Sequence, residues 1–207
     1  MKQLRPLFVI TLALLVLCCL IYPAVVTAAA QVFFRDQANG SLVERNGKVV
    51  GSAIIGQSVA DWALHPEYLW GRASAASNDA ATGITYSSGS NYGPLNRALL
   101  EEVKARVALL RASGVNGPIP GDLVTKSASG LDPHISPASA ELQVPRLAST
   151  RKIAETKVRE LISSHTEQSS LGFLGEPRVN VLLVNLDLDG QAPYAAPPPA
   201  PSAAPAK

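Results

Sequence analysis

The hydrophobic pattern begins with an uncharged apolar run from Leu7 to Ala30. As a helix with ~1.5 Å rise per residue, this run is about 36 Å long, enough to cross a hydrocarbon core of ~30 Å. We therefore predict a transmembrane helix over residues 7–30. A cleaved secretory signal is the alternative, because Ala28 to Ala30 fit the A-x-A cleavage pattern. The length of the run favours the anchor.

The charges beside this run indicate its orientation. Lys2 and Arg5 precede it, whereas Arg35 and Asp36 on the other side cancel each other. Because basic residues stay in the cytoplasm, residues 1–6 are predicted to be cytoplasmic and the rest of the chain extracytoplasmic. A single helix without an ionisable residue cannot form a pore alone. A transport role would therefore require other subunits.

Two later segments have the apolar spacing of amphipathic helices. The first spans 97–114, where Asn96 can cap the start and Gly114 can end the helix in a left-handed conformation. The second begins after Ser136 as N-cap with Pro137 in the first turn, is interrupted by Pro145, and resumes over 146–166. The apolar positions are Leu99, Leu100, Val103, Val107 and Leu110 in the first, and Leu147, Ile153, Val158, Leu161 and Ile162 in the second.

Strand patterns lie at both ends of the exported part. Residues 41–57 predict two strands joined by Asn46-Gly47, a dipeptide that favours a hairpin turn. Residues 178–189, "RVNVLLVNLDLD", alternate and predict a strand with one buried face. Strands and helices in irregular order predict one α+β domain over 31–190. The Ala/Pro-rich tail 191–207 has little to bury, and we predict that it is disordered.

Composition removes several function classes. The 18 Lys and Arg nearly balance the 16 Asp and Glu, so charge gives no argument for nucleic-acid binding. Both cysteines, Cys18 and Cys19, lie inside the apolar run, where they cannot form a disulfide that stabilises a soluble domain. Three large aromatic side chains, Trp62, Tyr68 and Trp70, are close in sequence and form either core or a patch near the membrane or a partner.

The segment "SASGLDPHISP", residues 127–137, carries residue types common in active sites. A catalytic triad of Ser129, Asp132 and His134 is disfavoured, because residues this close on a loop containing Pro133 rarely align, and the chain has no G-x-S-x-G motif. The isolated histidines give no metal site. Turn chemistry explains the segment instead: Gly130 allows a turn, Asp132 before Pro133 can accept an Asx-type hydrogen bond, and Ser136 starts a helix.

Seven blocks along the chain together resemble a known family, and the resemblance runs from Leu7 to Asp189. They are "GSAIIGQ", "WGRASA", "SSGSNYGPLN", "DLVTKSASGLDPHISP", "QVPRLA", "SHTE" and "LGFLGEPRVNVLLVNLDLD". In this order they resemble the C subunit of the Kdp system, the bacterial potassium-importing P-type ATPase. The resemblance implies a non-catalytic, single-pass subunit of the inner membrane. Its implied partners are a channel-like potassium-binding subunit, an ATP-hydrolysing pump subunit and a small single-helix subunit.

The resemblance also implies a catalytic chaperone that stabilises assembly and raises the ATP affinity of the pump subunit. Carried over by position, Ser127, Ser129 and Gly130 would contact ATP, which is bound together with the pump subunit. The rest of the segment, Asp132, Pro133, His134 and Ser136, would form a structural loop or a subunit contact. An outward domain does not meet cytoplasmic ATP. The alternative is therefore an action on assembly or potassium entry without nucleotide contact.

Overall fold

The computed structural model describes residues 3–45, 47–56, 64–79 and 82–191. The chain divides into two compact units, Met1–Ile54 and Ile55–Lys207. The architecture is α+β with one apolar helix at the N-terminus, as predicted from the sequence. Trp62 and the tail 192–207 lie outside the described residues, so the predictions made for them remain predictions.

The first unit is dominated by one apolar helix over Leu4–Phe33, which is long and apolar enough to cross a membrane. It consists of α1 (Leu4–Leu15), a π-helical segment (Val16–Ile21) and α2 (Tyr22–Phe33). Pro23 has no N–H for the preceding turn, and the wider π-helical turn before it relieves the clash of the proline ring with that turn. The predicted span 7–30 lies within this helix.

A short helix and a hairpin complete the first unit. Helix α3 (Arg35–Ala38) leads into β1 (Leu42–Arg45) and β2 (Lys48–Ser52), which pair antiparallel with a bulge between Val43 and Glu44. Gly47 in the turn has φ +73°, a conformation that glycine adopts without strain. The hairpin predicted around this turn is confirmed.

The second unit combines six helices with five short strands among its described residues. The strands are β3 (Ser77–Asn78), β4 (Thr85–Tyr86), β5 (His134–Ile135), β6 (Thr166–Glu167) and β7 (Arg178–Asn180). The helices are α4 (Arg97–Ala112), α5 (Gly121–Val124), α6 (Pro137–Glu141), α7 (Val144–Arg151), α8 (Glu155–Ser164) and α9 (Val181–Gln191). β3 pairs with β4, and β5, β7 and β6 form an antiparallel sheet in that order.

Two apolar clusters form the core of this unit. The larger joins Leu69 and Ile135 to residues of α6, α7, α8, β7 and α9. The smaller joins Trp70 to Leu110 of α4, Leu123 of α5 and Val115. Leu69 and Trp70 are adjacent but belong to different clusters, so the segment that carries them connects the two parts of the core. Trp70 is therefore a core residue.

The strand predicted over 178–189 is wrong beyond Asn180. Asn180 Oδ1 accepts the Leu183 N–H at 3.2 Å, which caps α9 at this position. Val181, Val184 and Leu188 recur at helical spacing, and all three are buried in the larger cluster. The apolar positions of this run fit the helical period as well as the alternation of a strand, and the observed helix packs against α8.

The helix predicted over 146–166 is divided in two. Lys152 ends α7 with φ +56°, and the Ile153 N–H donates to Ala148 O, so the last turn closes on itself. Pro145 lies in the first turn of α7, where its missing N–H costs nothing. Helix α4, with its Asn96 cap and Gly114 at φ +91°, was predicted correctly.

Candidate functional site

The segment 127–137, here called the serine–glycine loop, connects α5 to α6 and includes β5. At its start, the Ser127 N–H donates to Ala73 O at 2.9 Å. At its other end, the Val181 N–H donates to Pro133 O at 2.9 Å, and His134 pairs with Asn180. The loop therefore ties the segment after Trp70 to the first turn of α9.

Backbone groups of the loop are held by three other segments of the chain. Gly130 O accepts the Ser74 hydroxyl at 2.7 Å, and Leu131 O accepts the Gly56 N–H at 2.8 Å. Ser129 O accepts twice, from the Ser87 hydroxyl at 2.8 Å and the Ser88 N–H at 3.1 Å. Consecutive carbonyls are thus satisfied by groups distant in sequence, and the loop is fixed from several sides.

Three glycines permit this close approach of backbones. A Cβ at Gly130 would lie 2.7 Å from Ser88 O and 2.8 Å from Ala76 N, and Gly130 has φ +70°. A Cβ at Gly89 would lie 2.6 Å from Ala128 O, and one at Gly56 would lie 2.7 Å from Asp132 O. Backbone atoms cannot swing aside as a flexible side chain can. Glycine is therefore required on both sides of the loop.

Ser127, Ser129 and Gly130, the residues that the family resemblance assigns to ATP, are brought together, but their polar groups already bond one another. The Ser127 and Ser129 hydroxyls lie 3.2 Å apart, and Ser127 Oγ accepts the Gly130 N–H at 3.2 Å. Ser129 Oγ accepts the Leu131 N–H at 3.1 Å. Phosphate binding needs free donors pointing outward. These internal bonds leave few donors of the loop for a phosphate group.

The basic side chains beside the loop are also paired with acids. Arg72 Nη1 lies 3.1 Å from Asp132 Oδ2, and its Nη2 donates to Lys126 O at 3.3 Å. Lys126 Nζ lies 2.8 Å from an oxygen of Glu102. Hydrogen bonds from Lys126 and Tyr92 hold the pKa of Glu102 below its usual value, against the opposing effect of burial. An anion would have to displace these carboxylates.

Asp132 and His134 form a turn and lack the arrangement of a catalytic pair. Asp132 Oδ1 accepts the His134 N–H at 3.0 Å, which confirms the predicted Asx-type bond. The ring nitrogens of His134 lie 3.6 Å from Asp132 Oδ1 and 3.7 Å from Glu167 Oε1, beyond hydrogen-bond distance. Its buried Nε2 has no hydrogen-bond partner among the described residues. Among the described residues, no histidine or carboxylate forms a hydrogen bond with Ser129 Oγ.

The start of α6 carries a polar cluster that sequence reasoning missed. Ser136 caps the helix by accepting the Ser139 N–H at 3.2 Å, as predicted. The unforeseen member is Asp122, whose oxygens accept the Ser136 N–H at 2.7 Å and the Ser139 hydroxyl at 2.6 Å. Burial raises the pKa of Asp122, but these hydrogen bonds outweigh it and leave the pKa below 3.8.

We expect Asp122→Asn to destabilise the chain by about 1 kcal/mol at pH 7, because the half-buried carboxylate accepts charge-assisted hydrogen bonds. A carboxyl group whose pKa falls on folding stabilises the fold above its unfolded pKa of 3.8 and loses that contribution as pH falls through the lower folded value. The difference between wild type and variant should therefore close below pH ~4. Denaturant unfolding of the full chain in detergent measures it, and a pH-independent difference would contradict the assignment.

Gln143 is a second residue that the sequence did not single out. Its side chain is 0% exposed, with Oε1 accepting the Trp70 N–H at 2.8 Å and Nε2 donating to Trp70 O at 3.0 Å. Nε2 also donates to Ser139 O at 3.2 Å. One buried amide thus joins Trp70 to α6, the helix at which the loop ends.

Two of the cavities that adjoin the loop exceed 400 Å³. One of about 470 Å³ is lined by Ile55, Gly56, Ala76, Asn78, Thr85, Gly130 and Leu131. The other, of about 490 Å³, has charged walls that include Arg72, Asp132, His134, Glu176 and Arg178. In the part of the chain that the structure describes, no three His, Cys, Asp or Glu side chains come together as a metal site.

Comparison with known proteins gives one consistent result. Residues 4–190 match the family model described as the c chain of the K⁺-transporting ATPase, KdpC. A protein of Sorangium cellulosum (strain So ce56) is 53% identical over 192 residues, covering 92% of this chain and 98% of that protein. A protein of Burkholderia mallei (strain SAVP1) is 52% identical over 196 residues, with 91% and 97% covered. Both bear the name potassium-transporting ATPase KdpC subunit.

Proposed function

The chain belongs to the KdpC family, the c chain of the K⁺-transporting ATPase, and we propose that it is a non-catalytic accessory subunit that stabilises an ATP-driven potassium import complex. The observation that carries the proposal is the family match over residues 4–190, which includes the apolar helix as well as the second unit. The serine–glycine loop supports it, because the hydroxyls of Ser127 and Ser129 are engaged in hydrogen bonds within the loop.

The proposed topology is a single pass through the inner membrane with the domain outside. The helix Leu4–Phe33 is the anchor, and the basic residues before it favour a cytoplasmic N-terminus. The proposed partners are the channel-like potassium-binding subunit, the pump subunit and the small single-helix subunit. The anchor would pack beside partner helices, while the outer domain acts on assembly or on the potassium entry side.

We further propose that any gain in the ATP affinity of the pump subunit is indirect. A subunit outside the membrane changes the affinity of a cytoplasmic site only if it contacts two pump conformations differently. The competing proposal is that Ser127, Ser129 and Gly130 contact ATP together with the pump subunit. The internal hydrogen bonds of these residues and the pairing of Arg72 and Lys126 with acids favour the indirect action.

The complex purified in detergent with and without this chain tests the proposal. Without the chain, we expect the yield of intact complex to fall about tenfold, since ~1.4 kcal/mol of lost interaction gives that factor. Complex formed at full yield and full activity without the chain would overturn it. Protease added to intact spheroplasts checks the topology, because cleavage of the domain is expected only if it faces outward.

The variant Ser129→Ala separates indirect from direct action on ATP. Indirect action predicts that the complex carrying Ser129→Ala keeps its ATP half-saturation within twofold of wild type, as measured by potassium-stimulated hydrolysis. A tenfold rise at unchanged yield of complex would instead support contact between the loop and nucleotide. The purified full chain alone should show no saturable ATP binding by calorimetry.

A further inference from the structure

The connection between β6 and β7 exposes large apolar side chains at its tip. Leu171 is 82% exposed, Phe173 is 74% exposed and Leu174 is 51% exposed. These three residues lie within the sequence "SLGFLG", residues 170–175, here called the apolar tip. Scattered apolar residues on a surface are ordinary, but a contiguous group on one loop is typical of an interaction site.

The apolar tip is a folded turn with its own hydrogen bonds. Ser170 and Leu174 exchange two backbone hydrogen bonds of 2.8 and 2.9 Å, and the Gly172 N–H donates to Ser169 O at 3.1 Å. Leu171 has φ +55°, a conformation that non-glycine residues adopt only at a cost. The backbone is satisfied while the apolar side chains point outward. The tip is therefore pre-organised to bind, which lowers the entropy lost on association.

The charges beside the tip indicate which kind of surface, lipid or protein, the tip contacts. Arg178 is neutralised by Glu167, whose Oε2 lies 2.6 Å from Arg178 Nη2. Glu176, directly after the tip, is exposed and forms no ion pair with the described residues. The surroundings of the tip therefore carry a net negative charge. An anionic lipid surface would repel this charge, whereas a protein surface with a basic side chain at its edge would attract it.

We propose that the apolar tip docks into an apolar depression, edged by a basic side chain, on the outer face of a partner subunit of the same complex. The inference rests on the proposed function, because it requires that such a complex exists. Leu171 and Phe173 are the anchors inside the depression, and Glu176 faces the basic group. The occupant is a protein surface and not a lipid headgroup.

The size of the tip favours a partner already held nearby by the membrane anchor. Even if each of the three side chains buried as much as a Phe, ~150 Å², the tip would contribute roughly 450 Å² to one side of an interface, or about 900 Å² counted over both partners. A stable interface between free proteins needs ~1,000 Å², so the tip is too small to hold a second copy in solution. Anchoring in a common membrane raises the effective concentration of the partner, and a small anchor then suffices.

The double variant Leu171→Ser with Phe173→Ser tests the proposal in the full chain. We expect its recovery with the partner subunits in detergent to fall about tenfold, and Glu176→Lys to lower it by a smaller factor that depends on salt. The matched control is Leu95→Ser, because Leu95 is 94% exposed in the same unit but outside the tip. Since all four side chains are exposed, circular dichroism of each purified chain should match wild type.

A fluorescent label distinguishes protein from lipid as the occupant. Phe173→Cys, in a chain whose Cys18 and Cys19 are changed to alanine, carries an environment-sensitive dye at the tip. A blue shift only when partner subunits share the vesicle supports the proposal. The same shift in vesicles of phosphatidylglycerol and phosphatidylethanolamine without partners overturns it in favour of a lipid surface.

Two failures remain distinguishable. If the double variant and Leu95→Ser are both recovered like wild type, the docking role of the tip is wrong while the accessory function stands. If the wild-type chain itself is not recovered with the partner subunits, the proposed function and the inference that depends on it both fall.

Discussion

Replacing Gly130 with alanine is expected to destabilise the chain by on the order of 4 kcal/mol, among the largest effects of a single methyl group. The conformation at φ +70° alone costs roughly 1–2 kcal/mol for a residue with a Cβ. The remainder arises because that Cβ would lie 2.7 Å from Ser88 O and 2.8 Å from Ala76 N, so that two backbone segments must move. Denaturant unfolding of the full chain in detergent, followed by circular dichroism, measures the change.

Substitutions at two other glycines measure separately how much the positive φ and the close Cβ contacts each destabilise the chain. Gly117 has φ +89° and a Cβ there would meet nothing within 4 Å, so Gly117→Ala should cost only about 1 kcal/mol. Gly89 has no positive φ, but its Cβ would lie 2.6 Å from Ala128 O, and Gly89→Ala should cost an intermediate amount. If Gly130→Ala destabilises the chain no more than Gly117→Ala does, close backbone packing around Gly130 does not contribute to the stability of the loop.

The same loop shows which parts of the structure the sequence could predict. The turn at Gly130, the Asx-type bond of Asp132 and the cap at Ser136 were predicted correctly, because each depends on residues within three or four positions. Helix α4 was predicted for the same reason, since its cap, apolar face and final glycine are continuous in sequence.

Features that depend on distant segments were not predicted. Asp122 reaches Ser136 across 14 positions, and Gln143 reaches Trp70 across 73. Each residue opens one of the blocks quoted for the family resemblance, but a single Asp or Gln gives no sign of the backbone groups that it will meet. The strand wrongly predicted over 178–189 also depends on a distant segment. The apolar residues fit both the helical period and the alternation of a strand, and the segment forms a helix that packs against α8.

The ATP assignment shows the limit of carrying residues over by position. Ser127, Ser129 and Gly130 have types suited to a phosphate loop, and the sequence does not indicate whether their donors are free. The structure shows that they bond one another and that the loop backbone is held by Ser74, Ser87 and Ser88. Contact with nucleotide remains a hypothesis, and this geometry disfavours it.

The second large effect is expected at Gln143. Gln143→Leu should destabilise the chain by on the order of 4 kcal/mol, because it removes the buried side chain that bonds both the N–H and the C=O of Trp70. It also removes an acceptor from Arg146, whose Nη2 lies 2.6 Å from Gln143 Oε1. Burial lowers the pKa of Arg146 to about 10, so this cation is already costly to keep in the interior. Thermal and denaturant unfolding in detergent provide the measurement.

Gln168→Leu is the matched control, since Gln168 is exposed and the same substitution there should change stability by less than ~0.5 kcal/mol. A second comparison uses Leu147→Ala in the larger apolar cluster, whose expected cost of about 3 kcal/mol comes from a cavity and not from lost hydrogen bonds. A double variant tests whether Gln143 also acts through Arg146. Gln143→Leu combined with Arg146→Met should destabilise the chain by less than the sum of the single variants, because the half-buried cation is removed with its acceptor. Simple additivity would show that Gln143 acts through Trp70 alone.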